Sequence, residues 1–362
     1  MNLIRGNNEK IKLSILPLSI ILSFCGGSTA SAANIIADER APSSKQADIQ
    51  IERQNLPVPC QIKVGCGETA VINIQTPDKN GLSHNKYTQF DAPHHNDRVI
   101  INNALSSDIN GNPYLQSETA KIILNEVRSD KASILAGSVK LAGQDAHVII
   151  ANPSGIDCNG CSFTDMYHLT LTTGAPSFSD SHKLQKFEVR EGNININKGE
   201  EVDTGLMHES RRNKTAYLDL FADKVNINGQ LTTDNAFIIA GKNFIDLAAP
   251  GQKMNIRQMT AFSRAPNYFT SVDVSDMGGM YAKKIRIISE GNTINSNVID
   301  SKGLISIDAG GEIRNTGVIR SDDIKSRPNS YRGKEWQEPG KSKWSQVSLV
   351  EKSKQIKKAG GI

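Results

Sequence analysis

Aromatic side chains are scarce in this 362-residue sequence, where Phe, Tyr and Trp together make up 5%. Most hydrophobic burial must therefore fall to aliphatic residues. Charge of one sign is also lacking. Lys and Arg number 42 against 38 Asp and Glu, and a formal +4 is too small to mark a nucleic-acid-binding chain. No interior apolar run approaches the roughly 18–20 residues of a membrane-spanning helix. The chain has no H-E-x-x-H, no G-x-S-x-G, no phosphate-binding glycine loop and no dinucleotide fingerprint. Its seven histidines, His84, His94, His95, His147, His168, His182 and His208, include no pair spaced to seat a metal on one helix face. The adjacent His94 and His95 read as a surface loop. No catalytic residue, cofactor, metal or small-molecule substrate is expected.

What the chain does have is turns. It contains 31 Asn and 29 Gly, the residues that most readily enter the left-handed backbone region. Between them lie short alternating or β-branched runs, including 70–74, 98–102, 121–127, 138–141, 147–150 and 168–172. Further runs follow at 225–227, 236–239, 243–247 and 284–288. These predict an all-β fold. Asn295-Ser-Asn-Val-Ile-Asp-Ser301 recurs as Asn315-Thr-Gly-Val-Ile-Arg-Ser321, an offset of 20 residues. A leucine-rich pattern is absent, and two or three strands with Gly/Asn corners fit that period. The repeat therefore predicts coils of a parallel β-helix stacking Ile, Val and Leu inward. Segments 175–192 and 203–216 read as excursions, and the Asn and Gly excess is expected at the coil corners.

The ends differ from the body. Arg5, Lys10 and Lys12 precede an apolar run over 13–24, and Ala30-Ser-Ala32 follows, the three parts of a secretory signal peptide. Cys25 raises a lipoprotein reading, but bulky Phe24 precedes it, and cleavage after Ala32 or Ala33 is expected. Residues 326–362 hold nine Lys/Arg against three Glu and read as a solvated, disordered tail. Residues 33–325 then carry about −4. Export to an oxidising compartment favours disulfides among Cys60, Cys66, Cys158 and Cys161. Local pairs are the natural choice among three pairings, with a four-thiolate zinc site and a redox C-x-x-C as competing readings.

Two Asn-Pro tetrads stand out, Asn112-Pro113-Tyr114-Leu115 and Asn152-Pro153-Ser154-Gly155, the second followed by Ile156. Asn capping its own turn and Pro presetting φ make both good β-turns whatever the protein does. Their setting is more specific. The stretch Ile149–Phe163 followed by Leu169-Thr-Leu-Thr-Thr-Gly174 resembles the secretion domain of filamentous haemagglutinins and haemolysins. So do Asn102-Asn103, Ile123–Val127, Ser133–Gly137 and Gly278–Ala282. These are the exported partners of bacterial two-partner secretion systems. The resemblance covers roughly residues 65–320. The tetrads of that family read Asn-Pro-Asn-Leu and Asn-Pro-Asn-Gly-Ile, whereas this chain carries Tyr114 and Ser154 third.

The resemblance implies a right-handed parallel β-helix with an N-terminal cap and extra-helical hairpins. It implies export from a Gram-negative bacterium, via the periplasm, to the cell surface or medium. The partner would be an outer-membrane β-barrel transporter with periplasmic POTRA modules, with a host-cell surface as a further candidate. Asn112, Pro113, Leu115, Asn152, Pro153, Gly155 and Ile156 would carry the transporter signal, and Cys158–Cys161 would be a bridge pinning the second turn. The expected layout is a signal peptide over 1–32, a lead-in over 33–64 and a secretion domain over 65–290. Repeats would then begin over 291–325, before the basic tail. Two alternatives accompany this reading: a polysaccharide-acting β-helix enzyme, and a stand-alone host-binding adhesin.

Overall fold

The computed structural model describes residues 33–53, 67–202, 204–210, 215–247, 254–259 and 265–327, plus the short strands Ser345–Gln346 and Gln355–Ile356. The expected signal peptide, Cys60, Cys66 and most of the basic tail lie outside these residues.

From Ser133 onward each coil contributes one strand to each of three sheets. His147–Ala151 lies in sheet 1, Ile156–Asn159 in sheet 2 and Cys161–Thr164 in sheet 3. His168–Thr172 then returns to sheet 1, pairing parallel to His147–Ala151 with His168 beside His147. Repetition of this circuit builds a parallel β-helix, right-handed as crossovers between parallel strands of one sheet are. The driving force is visible in the register. Val148, Leu169, Leu218, Ala236, Ile285, Ile305 and Ile324 form one in-register inward column on sheet 1. All seven are buried. Alternation along each strand sends every second side chain inward, so stacking coils fuses these columns into one aliphatic core. The 20-residue repeat folds as expected, with Asn295 beside Asn315 and Val298 beside Val318 on adjacent coils.

The N-terminal end is closed by antiparallel strands. Asn34–Ala37 pairs with Leu82–Asp91 on sheet 1, and Asp48–Arg53 pairs with Glu68–Asn73 on sheet 3. These cover exposed edges that would otherwise invite further pairing. Sheet 2 begins only at Ser133–Leu135, where the Asp91 carboxylate accepts from Ile134 N at 2.9 Å.

Segment 175–192 is an excursion, as expected. Ala175–Phe178 and Leu184–Val189 form an antiparallel hairpin, joined by Asn243–Asp246 and Asn255–Gln258. Its Phe187, Val189, Ile245 and Ile256 pack in one buried cluster with Ile149, Phe221, Ile239 and Ile288 of sheet 1. Sheet 1 is therefore apolar on both faces there. Segment 203–216 departs from expectation, because Thr204–Glu209 is a rung of sheet 3. Its core-facing positions are Leu206 and His208, both buried, and a histidine in that place hides the alternation. Asparagine, too, is not confined to corners. Across sheet 2, Asn226 donates to Asn195 and Asn195 to Asp157. Asn228 likewise donates to Asn197 and Asn197 to Asn159. In-register parallel strands bring identical side chains into such ladders.

Candidate functional site

Both tetrads are hydrogen-bonded turns, and they use their first residue in the same way. In the first, Leu115 N donates to Asn112 O at 3.0 Å and Tyr114 N to Asn112 Oδ1 at 2.9 Å. Asn112 is fully buried. Its Nδ2 donates to Ile74 O and Asn102 O, at 2.8 and 2.9 Å, tying together the ends of two neighbouring sheet-3 strands. Leu115 enters the core. The second turn fills the corner between sheets 1 and 2. Gly155 N donates to Asn152 O and Ser154 N to Asn152 Oδ1, each at 3.0 Å. Asn152 Nδ2 donates to Lys131 O and Ser133 Oγ on the preceding coil, again at 3.0 Å. Its backbone N donates to Thr172 O on the next. Asn152 therefore fastens three successive coils. Ile156 enters the core, and Gly155 holds φ +124°, which excludes a side chain.

The third positions that depart from the family pattern lie at the surface, and only the Ser154 side chain adds a tie to the preceding coil. Tyr114 and Ser154 are exposed, as is Pro113, and Ser154 Oγ finds Ser129 O at 2.7 Å. First-position Asn carries the turn, so Tyr and Ser are accommodated. The second tetrad also borders an open cleft of about 360 Å³ lined by Phe90, Ser129, Lys131 and Ile134.

The next corner of the same coil joins sheets 2 and 3. Cys158 and Cys161 are bridged across it, with Cα atoms 5.3 Å apart. Both are buried in the core, and Gly160 between them takes φ +84°. The cysteine bridge and the second tetrad thus occupy successive corners of one coil, close in space as well as in sequence.

One cluster escaped the sequence reading. His147, His168 and Asp219, on three neighbouring strands of sheet 1, bring their ligand atoms within 4.8 Å of one another. The two imidazoles stack with centroids 3.7 Å apart. His168 Nε2 lies 2.7 Å from Asp219 Oδ2, and Thr170 Oγ1 donates to the same oxygen at 3.1 Å. His147 Nε2 lies 2.7 Å from Thr170 Oγ1. Burial, and then the His168 charge, push the His147 imidazole well below its ordinary pKa. The available signal was the 21-residue separation of the two histidines, one coil. The remaining buried histidines have structural partners. His84 packs on Glu126 at 2.6 Å, and burial lowers its pKa. His208 lies between Met166 O and Thr233 Oγ1, and burial lowers it to about 4.

A family model described as the TPS secretion domain matches residues 33–315. The chain is 34% identical over 331 residues to a "Toxin CdiA" of Yersinia pestis, covering 87% of this chain and 9% of that protein. It is 32% identical over 277 residues to a "16S rRNA endonuclease CdiA" of Enterobacter cloacae, covering 73% of this chain and 8% of that one. The chain thus spans less than a tenth of these relatives. A crystal structure of a filamentous hemagglutinin secretion domain superposes with a TM-score of 0.52 at 25% identity. That match covers 82% of this chain and 98% of the other.

Proposed function

The chain belongs to the TPS secretion domain family, and we propose that its two Asn-Pro tetrads serve export twice, first as a linear signal and then as fasteners of the folded β-helix. Members of the family are exported through the outer membrane with a partner transporter. The observation that carries the proposal is burial. Asn112, Leu115, Asn152 and Ile156 are each 0% exposed, so a transporter reading those side chains must meet them before the domain folds. An unfolded, alternating chain can add as a strand to an open sheet edge of POTRA modules, backbone bonds giving affinity and alternate side chains giving selectivity.

On this reading residues 1–32 direct entry to the periplasm, and residues 65–290 form the secretion unit. Residues 291–325 begin the coils that follow. The Cys158–Cys161 bridge would hold the second signal's turn during transit. Once the chain is outside, the first coils give later ones an edge to stack on, so that folding opposes return through the barrel. The toxin and nuclease activities named for the relatives are those of far longer proteins, of which this chain covers 9% and 8%. An adhesin role at a host surface is a further step that an exported product of this family would take.

The test compares POTRA binding by urea-diluted and by prefolded chain. Binding by the unfolded chain, lowered in Asn112→Ala and Asn152→Ala, is the expected result. Equal binding by the prefolded domain, insensitive to both substitutions, would refute the proposal.

A further inference from the structure

We propose that His147, His168 and Asp219 form a binding site for a divalent transition-metal ion, with Zn²⁺ as the probe. Their ligand atoms lie within 4.8 Å of one another. All three side chains stand on the outer face of sheet 1, opposite the inward column of Val148, Leu169 and Leu218. They form a corner rather than a row. His147 and His168 share one column of the sheet, while Thr170 and Asp219 share the next. Two imidazole nitrogens and one carboxylate oxygen suit zinc, copper, nickel or iron, whereas calcium and magnesium prefer oxygen sets.

The surroundings meet two further requirements of a metal site. Thr170 is fully buried, and its hydroxyl donates to Asp219 Oδ2, the outer contact that orients a ligating carboxylate. The His168 side chain is 28% exposed, which leaves a route for the ion and room for water at the fourth position. The ligands also sit on strands rather than loops, so their spacing is held by the backbone ladder. Coordination asks for one local change. The rings now lie within 2° of parallel, and in-plane lone pairs of parallel stacked rings do not meet. A rotation of one ring about χ2 brings the two Nε2 atoms towards a common point. His168 then exchanges its contact with Asp219 for the ion, and His147 its contact with Thr170, each ring proton residing on Nδ1.

The experiment uses the untagged full chain with Cys25, Cys60 and Cys66 replaced by Ser, which removes thiolates as competing ligands. Zinc is titrated against a chromogenic chelator. One Zn²⁺ per chain is expected, with affinity lowered at least tenfold in His147→Ala, His168→Gln and Asp219→Asn. His182→Ala, on the hairpin turn, should bind as the parent does. Circular dichroism checks the fold of each variant, and Asp219→Asn is close in shape to the parent side chain. X-ray absorption of the loaded chain should show two imidazoles. No stoichiometric binding, or equal affinity in the three folded site variants, would overturn the proposal.

Discussion

Replacing Asn152 by Asp separates fastening from turn formation. Aspartate is as good a turn-former as asparagine, because either side-chain oxygen can accept from Ser154 N. It cannot replace the amide donor. In the parent, Nδ2 sits 3.0 Å from both Lys131 O and Ser133 Oγ, in a residue with no exposed surface. Asn152→Ala removes three hydrogen bonds and strands the buried Ser133 hydroxyl. The expected cost is about 2–3 kcal/mol, at roughly 0.5 kcal/mol for each of the three bonds plus about 1 kcal/mol for the unmet polar group. Asn152→Asp keeps the turn bond and can accept from the Ser133 hydroxyl, but it sets a buried carboxylate oxygen against the Lys131 carbonyl, so its cost at neutral pH should exceed that of Ala, at about 3–5 kcal/mol. The folded state would raise the carboxyl pKa above the usual value of about 3.9. The penalty is therefore full above that raised pKa, shrinks as pH falls through it, and is gone below the unfolded value. Urea unfolding followed by circular dichroism at pH 7 and pH 4.5 measures both features. An Asp variant within about 0.5 kcal/mol of the parent at pH 7 would show that the turn alone matters and refute the fastening argument.

His208 should make stability depend on pH. Its folded pKa of about 4 lies below the ordinary 6.5, so its contribution is complete above pH 6.5 and declines towards pH 4. Between pH 7 and 5 the parent should lose about 2 kcal/mol that His208→Gln does not lose, and parallel urea profiles would count against this. Gly160→Ala should cost more than about 2 kcal/mol. Its φ is +84°, and an added Cβ would lie 2.8 Å from Gly199 Cα; a melting temperature within a degree of the parent would contradict it. Neighbouring residues on one sheet-2 strand should differ sharply. Ile227→Ala, from the core, is expected to cost about 2–5 kcal/mol, and Asn226→Ala, from the outer ladder, about 1 kcal/mol or less. Denaturant midpoints of the two variants check the order.

Much of the coil was legible because inward residues are aliphatic. His168–Thr172 has the same limits in sequence and structure, and the repeat at 295 and 315 pairs in register. The ten-residue strand Leu82–Asp91 was not legible. Its inward positions include Ser83, Asn85 and Tyr87, all fully buried, so polar side chains stand where alternation predicts apolar ones. They are satisfied locally, Ser83 Oγ donating to Gln75 O and Asn85 Oδ1 accepting from Gln75 N. The tetrads were legible as turns, but their fastening role was not, since it depends on carbonyls one coil away in space and up to 38 residues away in sequence. The cluster at His147, His168 and Asp219 was hidden for a related reason. A hairpin inserted after Thr172 stretches the interval from His168 to Asp219 to 51 residues, which masks their adjacency.

The repeated coil also has a mechanical consequence. Successive sheet-1 strands Lys284–Ser289 and Leu304–Ala309 begin 20 residues apart. Extended, that length of chain spans about 70 Å; folded, it advances the stack by one strand spacing of about 4.8 Å. At roughly 0.05–0.15 kcal/mol per residue, adding a coil releases about 1–3 kcal/mol. Spread over 70 Å, that is a steady pull of about 1–3 pN on whatever chain still trails behind. The stack therefore acts as a winch: it reels in many ångströms of chain for each one it grows, at a force set by coil composition rather than by length already wound.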